Sequence, residues 1–197
     1  RLKADVVLDL TTPGAVFDNA VVIINAGARP VIGTTGLSEQ EISQLTSLCE
    51  TKKRGGMIVP NFAIGAVLAM RIAEISAKYF EYAEIIEMHH EEKADAPSGT
   101  AMKAAQMISA VRPNKAALST ETVKGAMGAR VNSVPVHSVR MPGLLAHLQV
   151  MFGSEGQTLT IRHDALGRDA FMPGIVLSCQ KVMLLNELVY GLEHVVT

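Results

Sequence analysis

Glu84-Ile85-Ile86-Glu87-Met88-His89-His90-Glu91-Glu92-Lys93-Ala94-Asp95-Ala96-Pro97-Ser98-Gly99-Thr100-Ala101-Met102 reads as a strand, a polar loop and a helix start. Ser98 stands where an N-cap belongs, and Ala101, Ala104, Ala105, Ile108 and Val111 follow at helical spacing. The first N–H groups of such a helix have no partner inside it and face toward negative charge. His89, His90 and Lys93 leave the strand just ahead of them. Proton donors beside a cluster of backbone N–H groups suit the protonation of an anionic substrate. Adjacent histidines face opposite sides of an extended chain. His89 and His90 therefore serve one centre only if the strand ends there, and the polar loop at 91–97 predicts that it does.

This unit separates two patterns. Upstream, Asp5-Val6-Val7-Leu8-Asp9-Leu10, Pro30-Val31-Ile32 and Met57-Ile58-Val59 are short strands, the first closed by Thr11-Thr12-Pro13-Gly14. Residues 15–26 read as a helix, although Val21-Val22-Ile23-Ile24 pulls weakly toward strand. Ser38 with Glu41 three residues on is a capping-box pattern, opening a helix with Ile42, Leu45, Leu48 and Cys49 on one face. Gly55-Gly56 is expected to stop it, and a third helix over about 66–78 points Val67, Met70 and Ile75 inward. Strand and helix alternating at this spacing predict a parallel sheet, whose ligands bind at the carboxyl ends of its strands. Two loops fall there, Gly33-Thr34-Thr35-Gly36 and Pro60-Asn61-Phe62. Glycine admits close backbone approach and threonine offers hydroxyls, but each loop taken alone is equally a tight turn.

Downstream, the runs 133–140, 146–152 and 157–163 are separated by Pro142-Gly143 and Gly153-Ser154-Glu155-Gly156. They predict antiparallel strands that join 82–88 in a mixed sheet of about four strands. A last helix over 171–184 carries Ile175, Val176, Cys179 and Val182, and the tail 188–196 returns toward the first sheet.

Of the 197 residues, 48% are hydrophobic and 19% charged, and the net charge is −1. That composition excludes disordered and fibrous classes and argues against nucleic acid or a membrane surface as partner. No apolar run approaches transmembrane length. Cys49 and Cys179, far apart in apolar helical patterns, read as free thiols in a reducing compartment. Five histidines (His89, His90, His137, His147 and His163) are available as metal ligands, but without an H-x-x-x-H helix or Cys-rich spacing no metal is expected. Ser98 lacks a G-x-S-x-G frame for nucleophilic catalysis. Arg1-Leu2-Lys3 leads at once into the apolar run 4–10, and no G-x-G-x-x-G occurs. The parallel sheet is thus expected to be the later part of a dinucleotide-binding fold whose opening Gly-rich unit is missing.

Glu84-Ile85-Ile86-Glu87 with His89-His90, Lys93 and Asp95-Ala96-Pro97-Ser98-Gly99-Thr100-Ala101 resembles the signature of the dihydrodipicolinate reductase family. Gly33-Thr34-Thr35-Gly36, Asn61-Phe62, His137-Ser138-Val139-Arg140, Arg162-His163-Asp164 and Phe171-Met172-Pro173-Gly174 fit the same family, so the resemblance runs over essentially the whole chain.

The resemblance implies an α/β protein with a Rossmann-like parallel sheet and an α+β domain. Residues 1–80 would be a partial dinucleotide-binding domain, 81–184 the substrate-binding and tetramerisation domain, and 185–197 a segment returning to the first. It implies reduction of 4-hydroxy-tetrahydrodipicolinate, a cyclic unsaturated dicarboxylate, by NADPH or NADH in lysine and diaminopimelate biosynthesis. The expected location is the cytoplasm, or the plastid stroma in a plant. His89 takes the role of acid/base and Lys93 that of proton donor, consistent with an imidazole titrating near neutrality and an ammonium beside a dicarboxylate. His90, Ser98, Gly99, Thr100 and Arg168 would bind substrate. Gly33, Thr34, Thr35, Val59, Pro60, Asn61 and Phe62 would hold the nicotinamide half of the cofactor. The assembly implied is a homotetramer. Two other readings are a non-catalytic reductase-like binding or assembly module, and a dehydrogenase outside lysine synthesis. The intact His89, His90, Lys93 and 98–100 oppose the former, the 95–100 run the latter.

Overall fold

β-Branched and apolar runs build a four-stranded sheet from β1 (Val6–Asp9), β2 (Arg29–Ile32), β3 (Gly56–Ile58) and β9 (Leu188–Tyr190). The order is β1-β2-β3-β9 and every pair is parallel. The chain is seen here as a computed structural model describing residues 3–115 and 117–196. Helices α1 (Val16–Asn25) and α2 (Glu39–Lys52) connect the first three strands. Val16, Ala20 and Ile24 of α1 pack with Ile32, Ile58, Leu45 and Cys49 in one buried cluster. The helical period of residues 16–25 therefore prevails over the strand preference of Val21-Val22-Ile23-Ile24, because it puts one stripe of that run on the core.

Ser38 caps α2 in a full capping box: its Oγ accepts the Glu41 N–H and the Glu41 side chain accepts the Ser38 N–H. A cap of this kind stabilises by about 1 kcal/mol. The helix stops before the glycine pair, because Lys53 takes the left-handed conformation (φ 51°) and closes the last turn. Both cysteines are free thiols; Cys49 is buried, and burial pushes its thiol pKa up to about 11.

The second unit is a five-stranded sheet, ordered β5 (Ala129–Val131), β6 (Val134–Arg140), β4 (Tyr82–His89), β7 (Ala146–Ser154) and β8 (Gln157–Ala165). β4 and β6 are parallel and the other pairs antiparallel. Helix α4 (Gly99–Val111) packs over β4, β5 and β6. Ala83, Ile85, Leu148, Val150 and Phe152 are buried with Ala101, Ala104, Ala105 and Ile108 of that helix. Glu87 shares the inward phase of β4 with Ala83 and Ile85, and it is buried too.

Several expectations are corrected. The mixed sheet has five strands rather than about four. The extra strand, β5, pairs with β6 across Asn132-Ser133, with Asn132 at φ 53°, and its three residues are too short to display an alternation. Helix α3 (Ile64–Ser76) buries Val67 and Met70 but leaves Ile75 57% exposed. Five residues beyond Met70, Ile75 lies about 140° round the helix from it. The last helix is α5 (Met172–Lys181), flanked by 3-10 turns at Arg168–Phe171 and Val182–Leu184.

Contacts divide the described residues into one unit of 3–64 with 169–196 and a second within Gly65–Arg168. α5 therefore belongs with the parallel sheet. Its Gly174 lies against the backbone of Phe62, so close that an added Cβ would fall 1.9 Å from the Phe62 carbonyl oxygen. No helix among the described residues is long and apolar enough to cross a membrane.

Candidate functional site

The end of β4 gathers a cluster of charged residues in the second unit. Glu87 is fully buried, and Arg140, on the neighbouring strand β6, grips its carboxylate with both terminal nitrogens: Nη2 to Oε1 at 2.8 Å and Nη1 to Oε2 at 3.0 Å. His89 Nδ1 lies 2.5 Å from Glu87 Oε2, two residues along the same strand face. The Ser98 N–H donates to Glu87 Oε1 at 3.3 Å. Arg140 also donates to the Asp95 carbonyl at 2.7 Å, and Lys93 Nζ pairs with Asp95 Oδ1 at 2.5 Å.

Electrostatics follow from this arrangement. Burial alone would raise the pKa of Glu87, but hydrogen bonds from Arg140, Ser138 and His89 outweigh it and hold the carboxyl below the usual glutamate range. For His89, burial is the largest influence and lowers the pKa. Lys93 and Arg140 push the same way, and Glu87 opposes them without prevailing. His89 is therefore a neutral imidazole at pH 7. Asp95 is held below its usual range first by the hydrogen bond from Lys93.

The expected substrate residues differ in their placement. His89, Lys93 and Ser98 belong to one hydrogen-bonded network centred on Glu87 and Arg140. Ser98 is buried, and its hydroxyl is committed to capping α4 by accepting the Ala101 N–H. Gly99 is exposed, with nothing within 4 Å of the place a Cβ would occupy, so the positive end of α4 is open there. His90 and Thr100 are half-buried beside these groups in sequence. Arg168 is exposed at the start of a 3-10 turn and is not a member of the network. Three other histidines are accounted for separately. His137 pairs with Glu84, His147 is held between Asp164 and the Leu145 N–H, and His163 packs on Gly65.

The first unit has its own arrangement at the carboxyl ends of β1 and β2. A cavity of about 320 Å³ is lined by Leu10, Thr11, Pro13, Gly33, Thr34 and Thr35. Its order comes from Asp9, a buried carboxylate that accepts from the Thr11 N–H and hydroxyl, the Asn19 amide and the Thr34 hydroxyl at 2.8–3.1 Å. Burial would raise the Asp9 pKa, but these donors together depress it. An added Cβ at Gly33 would lie 2.5 Å from both Leu10 Cδ2 and Phe62 Cε2, so only bare backbone fits beside the cavity. Val59 and Phe62 are buried, Pro60 is exposed, and Asn61 Oδ1 accepts the Ala63 N–H at 2.8 Å. An open cleft with hydroxyl groups and a bare glycine backbone fits the polar nicotinamide end of a dinucleotide.

Residues 1–62 match the family model for the N-terminus of dihydrodipicolinate reductase, and residues 65–196 match that for its C-terminus. The chain belongs to the dihydrodipicolinate reductase family. The 4-hydroxy-tetrahydrodipicolinate reductase of Geobacillus thermodenitrificans is 54% identical over 99% of this chain and 75% of its own length. That of Legionella pneumophila is 54% identical over 98% of this chain and 80% of its own length. The solved structure of a dipicolinate-bound dihydrodipicolinate reductase from Paenisporosarcina superposes with a TM-score of 0.89 at 51% identity, covering 98% of this chain and 74% of that one. Its activity is that of the family: NAD(P)H-dependent reduction of 4-hydroxy-tetrahydrodipicolinate, in lysine and diaminopimelate biosynthesis.

Three residues escaped the sequence reading of this reductase site. Glu87 and Arg140 stood in quoted motifs without roles, and Asp9 was read only as part of a strand. An acidic residue in the inward phase of an apolar strand was the available signal for Glu87, since a buried carboxylate demands a partner.

Proposed function

We propose that the second unit carries the proton transfer and substrate recognition of this reduction, and that the first holds the nicotinamide half of NADPH or NADH. The observation that carries this reading is the convergence at the end of β4 of a neutral His89, Lys93 in the following loop and the open start of α4. His89 serves as acid/base. Lys93 delivers the proton to the ring atom next to the one reduced, and its charge holds a substrate carboxylate. His90, the Gly99 N–H and Thr100 contact the carboxylates, with the helix dipole favouring the negative charge. Ser98 contributes by fixing the helix start, and Arg168 closes the pocket. Dipicolinate in the Paenisporosarcina relative supports a ring dicarboxylate as the ligand class. Turnover of a His89→Gln, Lys93→Ala double variant tests these roles.

The nicotinamide cofactor supplies a hydride when bound. Gly33, Thr34, Thr35, Val59, Pro60, Asn61 and Phe62 bind and orient it, with Asp9 fixing the Thr34 hydroxyl. Gly33→Ala is expected to raise the KM for NAD(P)H on the order of 10-fold, since the methyl group must displace Leu10 and Phe62 at a cost of about 1–3 kcal/mol. Turnover at saturating cofactor should change little. Steady-state kinetics at varied cofactor decide it, and an unchanged KM removes Gly33 from the site.

The assembly proposed is a homotetramer built through the face of the five-stranded sheet turned away from α4. Ile86, Met88, Val139 and Met151 occupy that phase of the strands and are only half-buried or exposed. Light scattering should return four chain masses, and a monomer would refute the assembly. Two free thiols support a cytoplasmic location, which fractionation checks.

A further inference from the structure

The two carboxylate oxygens of Glu87 serve two tasks. Oε1 takes Arg140 Nη2 and the Ser98 N–H, while Oε2 takes Arg140 Nη1 and faces His89 Nδ1 at 2.5 Å. An ionised carboxylate only accepts, so in the neutral ring Nδ1 carries the proton and Nε2 is left to exchange one. Arg140 reaches further. Nη2 donates to the Asp95 carbonyl, and the Asp95 side chain pairs with Lys93. One buried ion pair therefore holds the ring of His89 at one end and the loop bearing Lys93 at the other. Stability alone is a weak reason for such a pair, since apolar residues of similar volume often serve as well or better.

We propose that Glu87 and Arg140 are positioning residues for the reduction. Glu87 fixes the tautomer and orientation of His89, and Arg140 fixes the loop that presents Lys93. The inference rests on the roles proposed above for His89 and Lys93. Its logic is that of a carboxylate behind a metal-ligating histidine, where removal of the partner typically costs about 10–100-fold in affinity or activity. The charged groups facing His89 are Glu87 on its own strand, Arg140 from β6 and Lys93 from the loop. Of these only Glu87 favours the protonated ring.

The test is the ¹⁵N spectrum of histidine-labelled enzyme, with kinetics of Glu87→Gln. In the unmodified enzyme the neutral His89 ring should show its proton on Nδ1. In Glu87→Gln its titration should move to lower pH. kcat should fall about 10–100-fold, while the KM for 4-hydroxy-tetrahydrodipicolinate and the Kd for dipicolinate hold within about threefold. Glu87→Asp, which keeps the charge, should recover part of the titration shift. A proton on Nε2 in the unmodified enzyme overturns the inference, and this measurement stands even where Glu87→Gln fails to fold. Unchanged kcat and titration in Glu87→Gln overturn it as well. An inactive His89→Gln beside a fully active Glu87→Gln rejects the positioning role alone, whereas an active His89→Gln rejects the reading beneath it.

Discussion

The His89→Gln, Lys93→Ala double variant is expected to lose about 10³–10⁴-fold in kcat, because positioned acid–base groups contribute about 10²–10⁴-fold and both are removed together. Gln keeps a polar group near the size of imidazole but neither gives nor takes a proton at neutral pH. Ala removes the ammonium and leaves Asp95 without the hydrogen bond that most lowers its pKa. The fold should survive, since His89 is the last residue of β4 and Lys93 stands in the loop after it, both beyond the apolar core positions Ala83 and Ile85. The two losses should not simply add, because both groups are proposed to serve one substrate in one site. The check is single-turnover kinetics with circular dichroism for the fold. Near-normal turnover in the folded double variant would remove both residues from the chemistry.

Arg140→Met is expected to destabilise the protein by about 3–5 kcal/mol at pH 7, because it leaves the buried Glu87 carboxylate without its cation. The pH dependence has a definite sign. The folded pKa of Glu87 lies below its unfolded value. The pair therefore stabilises above the ordinary glutamate range, and that stabilisation disappears as pH falls through the folded pKa. In Arg140→Met the carboxylate remains buried with no cation, so its pKa moves up and acid relieves the penalty by protonating it. Urea unfolding of both proteins should show a gap that is wide at pH 7 and narrows toward acid pH. A second substitution, Glu87→Leu, should recover much of the lost stability, since a buried pair replaced on both sides is often tolerated. A gap independent of pH would show that Arg140 acts by packing and not by charge.

Much of this molecule is written in local patterns. The capping box at Ser38 and Glu41 set the start of α2, and Ser98 set the start of α4. These are contacts within one or two helical turns, so neighbours in sequence suffice to specify them. The family, and with it the reaction, was legible from the 84–102 run, because His89, His90, Lys93 and 98–100 stand close together in the chain. Placing Ile75 inward went wrong because a five-residue step from Met70 is not a helical repeat, and the buried stripe of α3 runs on through Ala73 and Ser76 instead. β5 passed unnoticed because three residues cannot show a period.

Tertiary structure alone decided the partners that lie far apart in sequence. Arg140 meets Glu87 across 53 residues, and Thr34 meets Asp9 across 25. Strand register brings the first pair together, since β6 lies beside β4 in parallel and sets Ser138 opposite Glu87 and Arg140 opposite His89. The parallel alignment of β1 and β2 does the same for the second, placing Asp9 opposite Ile32, just before the Gly33-Thr34 loop. A period-two pattern tells which face a residue takes but not which strand becomes its neighbour. The sequence by itself therefore determined most of the elements and the family, and it supplied the residues proposed to react. Only the pairing of strands decided that a buried carboxylate and an arginine stand behind them.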